Sequence, residues 1–138
     1  MSTQAIRQIA FPWGPAKGLD SGLSLNELHQ RIWEGELHIT LGRPASHSSY
    51  PLSICRLTFR KVFSHRLLEE GELFIPYDEQ MLENVVQLIA PSSYLAWFHL
   101  QTEGLHLGEP IHHYTVRTWD YRVDVLTSDP PKLEMLQE

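Results

Sequence analysis

The sequence predicts an α+β fold, an antiparallel β-sheet with two or three short helices packed on it. Several segments alternate apolar and polar residues with a period of two, which is typical of half-buried strands. Other segments carry helix-capping residues followed by apolar positions three and four apart. The helices are inserted between hairpin-joined strands and do not alternate with them, so an antiparallel α+β arrangement is favoured over a parallel sheet.

Strands are predicted where the alternation is clearest. In the segment 36–41, Leu37, Ile39 and Leu41 share one face of the strand. The longest candidate covers residues 52–67, and Lys61 occupies a core position in it, so we expect a bend or bulge there. At the C-terminus a hairpin is expected, with Val123 and Val125 in register with Tyr114 and Val116. The predicted strands cover 6–11, 36–41, 52–67, 73–75, 111–118, 121–127 and 133–136.

The first predicted helix covers residues 25–33. Ser24-Leu25-Asn26-Glu27 matches a capping box, and Gly35 is a candidate C-cap. The alternative is a strand from His29, because Ile32 and Trp33 are strand formers. We favour the helix.

Two further helices are expected in the second half of the chain. Asp78 can cap a helix whose apolar stripe runs from Met81 to Ile89, and Pro91 ends it. Ser92 or Ser93 can then cap a short helix over residues 94–101. The apolar residues of this last helix cover nearly every side, so we expect it to be deeply buried or pressed against a partner.

The length and composition of the chain limit the classes of function that we expect. The chain has 138 residues, which fits a single globular domain over residues 1–138. Its net charge of −6 disfavours nucleic acid and anionic membrane surfaces as partners. Neither a signal peptide nor a membrane span is evident, so a cytoplasmic protein is expected. Cys55 is the only cysteine, and its place in an apolar alternating run predicts a buried, unreactive thiol.

The two signs of charge are separated along the chain. Between Leu67 and Val116 there are eight carboxylates and neither lysine nor arginine, whereas residues 37–68 contain five cationic side chains and no acid. Such separation can set up a field that attracts a basic partner. It can equally mean that two oppositely charged elements lie side by side in the fold.

Candidate catalytic groups are sparse. His113 and Asp124 could meet across the C-terminal hairpin as a histidine–carboxylate pair of the kind that general bases use. With Tyr94 and His99 they would supply the polar groups of a pocket between the sheet and the 94–101 helix. No phosphate-binding loop, nucleophile motif or metal-ligand spacing is present, so no cofactor, no metal and no committed catalytic residue are predicted.

The C-terminal third resembles the ending of small uncharacterised bacterial proteins. The resemblance rests on residues 113–116, 123–126 and Pro130-Pro131, together with residues 57–62 and the acidic turn after them. It implies a bacterial single-domain protein and carries over no functional residue.

The favoured hypothesis is therefore a non-catalytic protein-binding module, such as a bacterial immunity-type protein that neutralises a basic toxin. Acidic inhibitors can use carboxylates to speed association with basic targets. The alternative is a small enzyme or a small-molecule-binding protein that uses the pocket beside the 94–101 helix. The residues expected to bind a protein partner are Glu69, Glu70, Glu72, Asp78, Glu79, Glu83, Trp119 and Asp120.

Overall fold

The computed structural model describes residues 8–19, 22–43, 52–69 and 84–136. In these residues the chain forms nine strands, one α-helix and one 3-10 turn. The strands are β1 (Ala10–Pro12), β2 (Ser24–Arg31), β3 (Glu36–Arg43), β4 (Leu52–Phe59), β5 (Val62–Glu69), β6 (Val86–Ile89), β7 (His112–Arg117), β8 (Tyr121–Thr127) and β9 (Lys132–Met135). The helix α1 covers Ser93–Gln101, and the 3-10 turn covers Gly14–Ala16.

The strands form two antiparallel sheets. The five-stranded sheet has the order β1-β6-β7-β8-β5, and the four-stranded sheet has the order β2-β3-β4-β9. One apolar core joins the two sheets, since buried residues of β3 and β4 belong to the same cluster as those of β6, β7 and β8. A smaller cluster holds α1 to Ile111 and Leu126. The molecule is thus two packed sheets with one helix beside the five-stranded sheet.

The predicted fold class is wrong in its balance of helix and strand. The described residues are mostly antiparallel β-sheet, with α1 as their single α-helix. Of the three helices expected from the sequence, two fall on segments in which the described residues form strands.

The helix predicted over residues 25–33 is in fact strand β2. It pairs with β3 along its whole length, with Leu28 opposite Ile39. The Ser24 hydroxyl donates to the carbonyl of Gly42 at 3.0 Å and does not cap a helix. Gly35, with φ of 66°, lies in the turn between the two strands. A nine-residue helix has little stability of its own, so pairing with a neighbouring strand outweighs the local capping signal.

The helix predicted from Asp78 is also wrong over its described part. Val86–Ile89 forms β6, which lies between β1 and β7 in the five-stranded sheet. Three of its four residues are buried, and a strand covered on both faces shows no alternation. The expected strand over 73–75, the start of this helix and residues 6 and 7 of the first strand lie outside the described residues.

Other elements agree with the sequence. Lys61, with φ of 52°, bends the predicted long strand, so that β4 enters one sheet and β5 the other. The C-terminal hairpin has the expected register, with Tyr114 opposite Val125 and Val116 opposite Val123. Ser92 caps α1 by accepting from the backbone of Leu95 at 2.9 Å.

Of the two alternatives predicted for α1, deep burial is wrong, and contact with a partner stays a prediction. Tyr94 and Phe98 are buried, whereas Trp97 is 50% and Leu100 is 74% exposed. The described part of the chain holds no helix that is both long and apolar enough to cross a membrane.

Candidate functional site

Strands β7 and β8 bring His113 and Asp124 together inside the fold. In the hairpin register Thr115 lies opposite Asp124, and His113 is its neighbour on the same face of β7. His113 Nε2 lies 2.7 Å from Asp124 Oδ1, and both side chains are fully buried. The ionised carboxylate can only accept hydrogen bonds, so Nε2 carries a proton and donates a hydrogen bond to Asp124.

Asp124 is also bound by two arginines. The Arg66 Nε donates to Oδ2 at 2.7 Å, and the Arg122 Nε donates to Oδ1 at 3.1 Å. Burial alone raises the pKa of Asp124, but the hydrogen bond from His113 and the positive charges of Arg122 and Arg66 outweigh it. The pKa of this carboxyl is therefore well below its ordinary value, and it is ionised at neutral pH.

On its other side His113 contacts Ser92. Ser92 Oγ lies 2.6 Å from His113 Nδ1 and is itself buried. When Nε2 holds the proton of a neutral imidazole, Nδ1 is an acceptor, so the Ser92 hydroxyl donates to it. Ser92, His113 and Asp124 thus form a continuous hydrogen-bonded chain from the N-terminus of α1 to the middle of β8.

Tyr94 connects the same network to the surface. The guanidinium carbon of Arg66 lies 4.2 Å from the centroid of the Tyr94 ring, within the range of a cation–π contact. The Tyr94 hydroxyl lies 2.6 Å from the Ser64 hydroxyl. Burial raises the pKa of Tyr94, while the hydrogen bond to Ser64 and the charge of Arg66 act in the opposite direction. Tyr94 is therefore a neutral phenol at physiological pH.

A cavity of about 250 Å³ lies between β5 and α1, and of the four residues predicted for the alternative pocket Tyr94 is the one that lines it. Arg66 reaches it with a side chain that is 43% exposed, and Trp97 stacks on Tyr94 with ring centroids 5.8 Å apart. Burial lowers the pKa of His65, which keeps that imidazole neutral at pH 7. The lining residues are Ser64, His65, Arg66, Tyr94 and Trp97.

A second cavity, of about 140 Å³, adjoins the first turn of α1. Ser92 and His113 line it together with apolar side chains that include Leu95 and Ile111. The described residues contain no group of three or more histidine, cysteine, aspartate or glutamate side chains placed to hold a metal ion.

Of the four residues predicted for the pocket, Tyr94, His113 and Asp124 belong to this network. The Tyr94 and His113 rings are 5.4 Å apart, edge to face. His99 does not join them. Its ring packs against Phe98, and its Nδ1 is buried without a partner in the described part of the chain.

The residues predicted to bind a protein partner are only partly described. Glu69 is exposed at the end of β5, 3.5 Å from the Tyr121 hydroxyl. Trp119 is 56% exposed, whereas Asp120 Oδ1 accepts from the Leu25 amide at 3.2 Å and from the Thr118 hydroxyl at 2.7 Å. The remaining five, Glu70, Glu72, Asp78, Glu79 and Glu83, lie outside the described residues.

Sequence reasoning missed four residues of the cavity, Ser64, His65, Arg66 and Trp97. Arg66 was counted only as one of the cations between residues 37 and 68. Its position in a strand with Ser64 two residues before it shows that the two share a face, and this signal was present in the sequence. That this face lies beside Asp124 depends on the pairing of β5 with β8.

Comparison with known proteins adds nothing to this geometry: no family model, no curated protein and no solved structure matches the chain.

Proposed function

We propose that this chain is a small-molecule-binding protein whose ligand is a small planar carboxylate held in the cavity between β5 and α1. The observation that carries the proposal is the state of Arg66. Its Nε is bound to the buried Asp124 and its guanidinium lies over Tyr94. Its two terminal nitrogens have no hydrogen-bond or ion-pair partner among the described residues.

Such an arginine is suited to bind an anion. Asp124 and Tyr94 fix the orientation of the guanidinium before any ligand arrives, so less side-chain entropy is lost on binding. A guanidinium presents parallel N–H groups that match both oxygens of a carboxylate.

The walls of the cavity indicate the rest of the ligand. Trp97 and Tyr94 offer aromatic surface against which a flat ring can stack, since Trp97 remains half exposed. The volume of about 250 Å³ is near the lower limit for ligand pockets, so the ligand is small. The hydroxyls of Ser64 and Tyr94 add polar contacts at one side.

The test is an NMR titration of ¹⁵N-labelled protein with benzoate, and with benzamide as the neutral counterpart of the same shape. We expect benzoate to shift the amide signals of residues 64–66 and 94–97, and benzamide to do so at least ten times more weakly. Loss of charge-assisted hydrogen bonds worth about 1.5–3 kcal/mol corresponds to roughly a ten- to hundredfold change in affinity. Added salt should weaken benzoate binding.

Two variants separate binding from folding. Arg66→Gln should abolish the benzoate shifts, whereas Arg60→Gln, at a cation that is 67% exposed and paired with Glu36, should leave them unchanged. Trp97→Ala removes the half-exposed stacking surface without entering the core, and it should also weaken binding. If benzoate causes no shifts in these segments of the wild type at millimolar concentration, the proposal is wrong.

A second candidate, a protein-binding module for a basic partner such as a toxin, is favoured by the ion pairs of the cationic stretch. Arg60, Lys61 and Arg66 pair with Glu36, Asp129 and Asp124, all of which lie outside the acidic stretch 69–109. In the described part of the chain, therefore, these cations do not neutralise the acidic stretch.

This second candidate has its own test. We expect a bait in which Glu69, Glu70 and Glu72 are changed to lysine to retrieve less of any basic partner than the wild-type bait does. Association of the wild type should slow as salt approaches physiological strength, where the screening length is about 8 Å. Equal retrieval by both baits would contradict the protein-binding hypothesis.

A further inference from the structure

We infer that Ser92 is a nucleophile for small acyl esters, with His113 as its general base, in the cavity at the first turn of α1. This goes beyond anion binding, because it concerns a different cavity and a chemical step. The geometry that points to it is the 2.6 Å contact between Ser92 Oγ and His113 Nδ1, followed by the 2.7 Å contact between His113 Nε2 and Asp124. A serine, a histidine and a carboxylate in this order are the parts that activate a hydroxyl for attack.

The two histidine nitrogens have distinct roles. In the neutral imidazole, Nε2–H donates a hydrogen bond to Asp124, and Nδ1 is then unprotonated and faces the serine hydroxyl. In the familiar serine hydrolases the two nitrogens are used the other way round. The chemistry requires only that one nitrogen be a base and that the other be held by the carboxylate, and both conditions are met here.

The proposed reaction uses an ester and water. Ser92 Oγ attacks the ester carbonyl carbon while its proton passes to His113 Nδ1. The C–O bond to the alcohol then breaks, and the departing alkoxide takes that proton and leaves as the alcohol. Water, deprotonated by the same nitrogen, attacks the acyl-serine, and the carboxylic acid and free Ser92 are released with no net change in oxidation state.

The first turn of α1 offers stabilisation for the negative charge that develops on the carbonyl oxygen. The Leu95 amide already donates to Ser92 Oγ at 2.9 Å, and the Ser93 amide donates to Gln8 at 2.9 Å. The Tyr94 amide, in the same turn, has no partner among the described residues. An amide at a helix N-terminus is a suitable donor to an oxyanion because the helix dipole adds positive charge there.

The cavity sets the class of substrate. Ser92 and His113 line about 140 Å³, and most of the other lining residues are apolar, among them Leu88, Leu95 and Ile111. This volume is well below the roughly 300–1,000 Å³ that is typical of ligand pockets. It fits an acetyl to butyryl group, and it is too small for a long acyl chain.

The direct test is covalent labelling of the wild-type protein with a fluorophosphonate ester, followed by intact mass measurement and peptide mapping. We expect one adduct per chain, on Ser92. Ser93→Ala, at the neighbouring exposed serine, is the matched control and should label at the wild-type rate. No adduct on Ser92, under conditions that label a known serine hydrolase, would overturn the inference.

Hydrolysis of p-nitrophenyl esters tests the substrate class. Exposed histidines hydrolyse such esters slowly on their own, so the informative quantity is the ratio of the wild-type rate to the Ser92→Ala rate. For the acetate and butyrate esters we expect the wild type to be at least ten times faster than Ser92→Ala. For the octanoate ester we expect the two rates to be equal. Because Ser92→Ala also removes a helix cap, circular dichroism must first show that the variant is folded. Equal rates in a folded variant would refute the inference, as would a preference for the octanoate.

Asp124 is a positioning residue in this scheme, since its hydrogen-bond partners among the described residues are His113 and the two arginines. Asn in its place can donate to Nε2, which would move the imidazole proton to Nδ1. We expect Asp124→Asn to slow fluorophosphonate labelling at least tenfold and to change the ¹⁵N signals of His113 to those of the other tautomer. Unchanged imidazole signals together with an unchanged labelling rate would contradict this role. Benzoate binding depends on Arg66 and Trp97 and not on Ser92, so either proposal can fail without the other.

Discussion

Replacing Asp124 with asparagine should destabilise the domain strongly, because Asp124 holds the charged network beside α1 together. The carboxylate is fully buried and accepts from His113 and Arg66 at 2.7 Å and from Arg122 at 3.1 Å. An asparagine keeps the shape but loses the charge, and its amide N–H group opposes at least one of these donors. One lost charge-assisted hydrogen bond costs about 1.5–3 kcal/mol. Removing the carboxylate charge from the centre of this buried network raises the total to about 3–5 kcal/mol.

Urea unfolding followed by circular dichroism measures this loss. In thermal unfolding, a chain of this length should show a melting temperature lower by about 9–15 °C, at roughly 3 °C per kcal/mol. The matched control is Asp129→Asn, since Asp129 is 43% exposed and lies 4.0 Å from the Lys61 amine. An exposed pair of this kind contributes little, so the control should stay within about 0.5 kcal/mol of the wild type.

The pH dependence gives the prediction a second, independent reading. The folded pKa of Asp124 is lowered from an ordinary value of 3.8, so its contribution to stability is fully present above that value. It is lost as the pH falls below about 4 toward the folded pKa. The stability difference between the wild type and Asp124→Asn should therefore be constant near neutral pH and shrink below pH 4. If Asp124→Asn unfolds within about 1 kcal/mol of the wild type at pH 7, Asp124 does not hold this network together.

Three further predictions concern the core and the bend. Cys55 is fully buried and its pKa is raised by burial, so the native thiol should resist Ellman's reagent, and Cys55→Ser should cost about 1–3 kcal/mol in urea unfolding. Val86→Asp places a carboxylate at a fully buried position of β6 and should leave no folded domain by circular dichroism; a retained melting temperature would contradict our assignment of the core. Lys61→Gly should raise the free energy of unfolding by up to about 1 kcal/mol, because φ of 52° strains any residue with a Cβ; a loss of stability would show that the lysine side chain matters more than its backbone.

How far the fold could be predicted depended on which faces of each strand are covered. In β3, Leu37, Ile39 and Leu41 are buried, and the alternation of residue types revealed the strand directly. Lys61 was recognised as a break because it interrupted the same pattern. That the chain changes sheets at this residue could not be predicted, since it depends on which strands pair with β4 and β5.

The two wrong helices share a cause. Residues 85–89 form a nearly continuous apolar run. Such a run suits β6, because side chains on both faces of this strand are buried. A run of this kind has the same composition in a buried strand as in a buried helix, and periodicity cannot distinguish them. In β2 the capping-box prediction was wrong: Ser24 donates its hydroxyl to the carbonyl of Gly42, eighteen residues away in sequence, and caps no helix.

The candidate site shows where reasoning from sequence ends. His113 and Asp124 are eleven residues apart and meet in a hairpin whose register follows from its turn, so their contact could be predicted. Arg66 and Asp124 are 58 residues apart, and their contact depends on β5 joining the five-stranded sheet next to β8. The hairpin alone supplies a histidine and a carboxylate with no access to a ligand. The distant strand β5 contributes Arg66. The helix α1 contributes Tyr94, and its N-cap is Ser92. Whatever this network binds or transforms, its chemistry therefore depends on the pairing of β5 with β8, and a change that breaks this pairing should abolish benzoate binding even if every named side chain is kept.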